Sequence, residues 1–148
     1  ENLTIVEIEK WVPSHPGWNV LYFHSKGASR AQGNSFSDRA NQWRQTMMQD
    51  VVWNWKWCVD GLEKGYDSAG SHFKRGECDG TQHIWAGNFF WATSDFLRTL
   101  PSIYHRARIR ISGIKSLESR YEAEVWIGNG QRPPRVLEFR PRGGGGIP

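Results

Sequence analysis

The sequence predicts an α/β or α+β domain, on three observations. Residues 2–12 place Leu3, Ile5, Val6, Ile8 and Trp11 among charges, the pattern of a short amphipathic helix. The compact apolar run from Trp18 to Phe23 follows Pro13, Pro16 and Gly17, and suits a buried strand of a parallel or mixed sheet. Trp43, Met47, Val51, Trp55 and Val59 then recur every four residues, the strongest helical signal in the chain.

The remaining elements follow in order. His24-Ser25-Lys26-Gly27 closes the first strand, and residues 28–37 are small and polar, as in a loop. Ser37 or Asp38 can cap the long helical region, which ends near Gly61 or Gly65 and suits one helix or two. Tyr66 to Phe73 is a short strand candidate, and residues 74–82 have loop composition. Ile84 to Ala92 is apolar and aromatic, a buried strand interrupted at Gly87-Asn88 where another backbone would approach. Ser94 or Asp95 can cap a short helix that Pro101 ends. Residues 106–111 alternate with period two, so Arg106, Arg108 and Arg110 share one strand face. Residues 117–127 have helical pattern, and an Arg-, Gly- and Pro-rich tail from Asn129 is expected to be partly disordered. The domain is therefore expected over 1–128 and the tail over 129–148.

Composition narrows the class. A chain of 148 residues suits one domain with its own core. Nine tryptophans mean either a large aromatic core, the favoured reading, or a surface that stacks on flat ligands and sugars. A net charge of +4 and a pI near 9.3 favour anionic partners without choosing among them. Cys58 and Cys78 have no metal-ligand spacing and form no disulfide framework. The acidic, short N-terminus lacks a signal-peptide pattern, and no run approaches membrane-spanning length. The expectation is a soluble cytoplasmic protein with no membrane span.

Three constellations could carry chemistry. In His24-Ser25-Lys26-Gly27 the glycine permits a sharp turn, Lys26 offers a mobile cation to a phosphate, and Ser25 offers a hydroxyl. The bland alternative is an ordinary turn with a solvated lysine. In His83 to Ala92, Asn88 stands out, because a buried amide needs partners. It could hold a sugar hydroxyl while Trp85 or Trp91 stacks on the ring, or satisfy a neighbouring loop. In Arg120 to Gly128, Glu122 and Glu124 point to different helix faces, so one at most faces a site. A carboxylate beside Trp126 in a cleft would suit a general base; a solvated helix carboxylate is the plainer reading. No Asp-x-Asp, His-x-x-x-His or paired-Cys motif supports a metal, and Asp67, Asp79 and His72 are scattered. No Gly-x-Gly-x-x-Gly or Walker-type loop is present.

Taken in order, these segments resemble a family of bacterial and viral glycosyltransferase-like proteins with the GT-A nucleotide-sugar-binding fold. The resemblance rests on Leu21 to Gly27, Trp43-Arg44, Tyr66-Asp67 with Gly70, and His83 with Gly87 to Ala92. It continues through Leu100-Pro101, Ala123-Glu124 and Trp126-Ile127-Gly128, so it covers roughly residues 1–128. It implies a three-layer sandwich with a mixed sheet between helices, only part of the full GT-A fold. Members normally begin with a strand-helix-strand unit that holds the nucleotide base, and residues 1–11 look like the helix after it. The family's partners are a nucleotide-sugar donor and a glycan acceptor. Carried over, His24, Ser25, Lys26 and Gly27 meet the donor diphosphate, and Asn88, Trp91 and His83 line the sugar or acceptor pocket. Glu124 is the candidate base. The family's Mn or Mg ion is left open, because its Asp-x-Asp site is absent.

The resemblance thus implies a sugar transferase of hexosyltransferase type, truncated or inactive if its nucleotide unit is lost. A shortened sheet would leave an open edge that a second copy could cover. The competing readings are a non-catalytic carbohydrate-binding module and a basic nucleic-acid binder. Against the latter, the charge excess is modest and most tryptophans sit in patterned core positions.

Overall fold

The computed structural model describes residues 2–24, 35–77, 82–103 and 120–139. Ser25, Lys26 and Gly27 of the first turn lie outside these residues, as does the arginine strand expected at 106–111.

The chain begins with α1 (Asn2–Trp11), whose buried side is set by Ile5. A single 3-10 turn, Val12–Ser14, carries Pro13 at its start and ends the helix. Strand β1 (Asn19–Tyr22) follows where the apolar run predicts it. It is an edge strand, so only Tyr22 of its four residues is fully buried.

The long helical region is α2 (Ser35–Met47), a π-helical turn (Met48–Trp53) and α3 (Trp55–Glu63). The π turn has a geometric cause. A stripe repeating every four residues drifts by about 40° per step on an α-helix of 3.6 residues per turn. A wider π turn rotates it back. Met47 and Val51 accordingly stay fully buried. The correction is not carried further: Trp53 and Trp55 are exposed, and the buried face passes to Cys58, Gly61 and Leu62.

Strand β2 (Ser68–Ser71) is buried at every position. The loop expected at 74–82 is instead half of a hairpin, β3 (Phe73–Glu77) with β4 (Gln82–Trp85), paired antiparallel. The single interrupted strand expected over 84–92 is two strands in two sheets. Gly87 and Asn88 have φ of +87° and +59° and turn the chain from β4 into β5 (Phe90–Thr93). The cap of α4 (Ser94–Leu97) is Thr93, one residue before the expected position: its hydroxyl accepts the Phe96 N–H. Helix α5 (Arg120–Trp126) falls within the predicted 117–127. The tail composition from Asn129 misleads as far as residue 139, because Val136–Phe139 forms strand β6.

The main sheet has order β1-β5-β2-β6. Strand β5 is antiparallel to β1 and β2, while β2 and β6 are parallel. Strands β1, β2 and β6 therefore run in one direction and end together. Alternation sends successive side chains to opposite faces. Tyr22, Phe90, Ala92 and Val136 meet Ile5 of α1 and Trp126 of α5. On the other face Leu21, Trp91, Ala69 and Leu137 meet the α2–α3 region. The protein is thus a mixed α/β structure with a four-stranded mixed sheet covered on both faces. No helix among the described residues is long and apolar enough to cross a membrane.

Asp67 locks the start of β2 to the segment before β6. Its buried carboxylate takes a two-pronged hydrogen bond from Arg132 at 2.6 and 2.9 Å and the Arg135 backbone N–H at 2.7 Å. Burial pushes the carboxyl pKa up, but these donors outweigh it and hold it at about 2.

Candidate functional site

The segments singled out in the sequence meet around the Ala86–Asn88 turn. His24 stands at the carboxyl end of β1, and its Nε2 lies 3.0 Å from the Gly87 carbonyl. His72 stands at the carboxyl end of β2, and its carbonyl accepts the Ala86 N–H at 3.0 Å. From α5, the Ala123 carbonyl accepts the Asn88 side-chain amide at 3.3 Å. From α2, Met47 and Trp43 pack so closely against Gly87 that a Cβ there would overlap the Met47 sulfur. Two carboxyl strand ends, a left-handed turn and two helices thus share one locus.

Asn88 is fully buried and takes a left-handed conformation, which few residues other than glycine adopt. Glu124, next to Ala123, is 8% exposed. The carboxyl-end side of the sheet therefore carries His24, Asn88 and the Ala123-Glu124 step together.

The other two expected residues are held elsewhere. His83 lies on β4, stacked on Phe73, with its Nδ1 accepting the Gly76 N–H at 3.4 Å. Trp91 is half-buried on the α2–α3 face, and its indole N–H donates to the Val51 carbonyl at 2.8 Å. Trp85 is fully buried and donates to Ser68 Oγ at 2.8 Å, which in turn donates to the Trp91 carbonyl at 2.7 Å. Gly70 lies close beneath it: a Cβ there would stand 3.1 Å from the Phe89 carbonyl and 3.3 Å from the Trp85 ring.

A second polar group adjoins this locus and escaped the sequence reading. Asp50 is carried by the π turn, and Ser71 and His72 end β2. Asp50 is 4% exposed and Ser71 1%. Burial pushes the Asp50 carboxyl above its ordinary range, and the nearby Ser71 hydroxyl and His72 charge moderate the rise. Ser71 is close enough to favour the ionised carboxyl, yet no hydrogen bond of sound geometry joins the two: Asp50 Oδ2, Ser71 Oγ and His72 Nε2 are each buried without a partner. His72 has φ of +62°, a conformation that costs a non-glycine residue and persists only where its surroundings enforce it. The available signal was Asp50 itself, a carboxylate set between the stripe residues Met47 and Val51.

Among the described residues, no three or more His, Cys, Asp or Glu side chains are grouped to hold a metal. A separate open groove of about 730 Å³ runs along α1 and β1, with Trp11, Trp18, Ile8 and Val20 among its walls. No residue singled out for the site lines it.

Comparison of the chain with protein-family models, with curated proteins and with solved structures gives no match.

Proposed function

We propose that the protein is a glycosyltransferase-like domain of GT-A type that binds a nucleotide-sugar at the carboxyl ends of β1 and β2. One observation carries this reading. His24, Gly87-Asn88 and Ala123-Glu124 are far apart in sequence and are drawn to one locus by contacts of 3.0 and 3.3 Å. These are the segments that the family resemblance marks as donor turn, sugar-pocket strand and base. Open α/β sheets bind ligands beyond the carboxyl ends of their strands.

In this reading the turn after His24 meets the donor diphosphate, where Lys26 would offset leaving-group charge. Asn88 lines the sugar pocket, and Glu124 accepts the proton of the acceptor hydroxyl. The test is thermal stabilisation by UDP-, GDP- and dTDP-sugars, with and without Mn²⁺. A donor at a hundred times its Kd should add about 2.7 kcal/mol of stability, and His24→Ala should weaken the effect. A folded sample that no donor stabilises would sink the proposal.

The groove along α1 and β1 favours one other reading, a carbohydrate-binding module. Trp18 is 57% exposed there and stands edge-on to Trp11, leaving an aromatic surface in solvent. In that case a glycan binds without nucleotide, Trp18→Ala abolishes its binding, and Glu124→Gln leaves it intact.

A further inference from the structure

We infer that Asn129-Gly130 is a site of spontaneous deamidation, where the folded protein converts an amide into a carboxylate and so loosens the grip of Arg132 on Asp67. Asparagine is among the chemically labile residues. Its labile step is attack on the side-chain carbonyl by the backbone nitrogen of the next residue, and a side chain on that next residue hinders the approach. Every other asparagine of the chain precedes a residue with a side chain; Asn129 alone precedes glycine.

The fold leaves the reacting groups unprotected. Asn129 and Gly130 lie between α5 and β6, outside helix and strand, and both are half-buried. The Asn129 backbone N–H donates to the Trp126 carbonyl at 3.1 Å, but among the described residues the Gly130 N–H donates to no acceptor. Asn129 Oδ1 is buried without a partner. An unpaired buried oxygen is already a cost to the fold, so turning the side chain toward the Gly130 nitrogen gives up no hydrogen bond at that atom. The chain is also tight here: a Cβ on Gly130 would stand 3.2 Å from the Arg132 carbonyl and 3.3 Å from the Leu100 side chain.

In the reaction the Gly130 nitrogen gives up its proton and bonds to Asn129 Cγ. The bond from Cγ to Nδ2 breaks, and ammonia leaves with that proton. Water then opens the cyclic imide at either carbonyl, giving aspartate or isoaspartate. Nothing is oxidised or reduced. Both products add a negative charge, and isoaspartate also lengthens the main chain by one carbon just before Arg132. Arg132 holds Asp67 at 2.6 and 2.9 Å, a geometry set by that path.

The test needs no nucleotide or sugar, so it is independent of the proposed donor binding. The full folded chain is kept in mildly alkaline buffer and mapped by peptide mass spectrometry. Asn129 should convert severalfold faster than any other asparagine, to mixed aspartate and isoaspartate. Gly130→Ala should slow the conversion severalfold. Should that variant fail to fold, Asn129→Gln decides, since it should remove most of the ammonia that the folded chain releases. Converted protein, separated by ion exchange, should unfold at a lower urea concentration than unconverted protein. The inference is overturned if Asn129 stays an amide in the folded chain, or if another asparagine converts faster. It is also overturned if neither variant lowers ammonia release, or if converted and unconverted protein share one urea midpoint.

Discussion

The Trp91 indole and the Val51 carbonyl are joined by a 2.8 Å hydrogen bond that ties β5 to the π turn. Val51 lies in the later half of the π turn, which ends at Trp53, and the carbonyls of a last turn are left to be satisfied from outside the helix. Trp91→Phe keeps the ring and removes the donor. It should lower unfolding stability by about 1–3 kcal/mol, the cost of stranding a buried acceptor. An unchanged urea midpoint would show that the bond does not hold the turn in place.

Asp67 predicts the acid limb of stability. Its folded pKa of about 2 lies below the ordinary value of 3.8. A depressed carboxyl stabilises the fold above its unfolded pKa and loses that contribution as pH falls through the folded one. Asp67→Asn should therefore cost about 2 kcal/mol at neutral pH, with the difference from wild type shrinking between pH 4 and pH 2. The arginine partners are largely exposed, so added salt should reduce the difference. Chemical denaturation across that pH range reads it directly.

Cys58 should be inert while the protein is folded. Burial first, and the charge of Asp50 second, push its thiol up to about 12. In a Cys78→Ser background, iodoacetamide at pH 8 should label native Cys58 at least about a hundredfold more slowly than the unfolded chain. Rapid labelling of the native protein would mean that α3 opens away from the sheet.

Gly87 and Gly17 offer a matched comparison. Both have positive φ, +87° and +75°, but a Cβ on Gly17 meets nothing within 4 Å, while one on Gly87 overlaps Met47 and approaches Trp43. Gly17→Ala should cost about 1 kcal/mol of backbone strain. Gly87→Ala should cost about 2 kcal/mol more, because Met47 must move from a packed core. Equal losses in thermal unfolding would contradict the close approach of α2 to the turn.

Part of the site was legible in the sequence. Gly87-Asn88 is locally conspicuous, an amide and a glycine inside an aromatic run, and it is a crowded point, but as a turn between two strands against which the Met47 and Trp43 side chains pack, not as a strand that another backbone approaches. Asp50, Ser71 and His72 were not seen as a group. Asp50 and Ser71 are 21 positions apart, and only the packing of the π turn on β2 joins them. Their sequence signal is ordinary residue types in ordinary surroundings.

Local patterns by themselves determined α1, β1, the α2–α3 region and α5: an amphipathic period, a compact apolar run, a four-residue stripe and a helical register are each a property of one element. Tertiary structure decided the rest. Val136–Phe139 has tail-like neighbours, yet it becomes a strand because β2 offers it a parallel ladder and Asp67 clamps the segment before it. Ile84 to Ala92 has one composition but divides between two sheets, since β4 pairs with β3 while β5 pairs with β1 and β2. Pairing partners far away in sequence set both outcomes, and no window along the chain contains them.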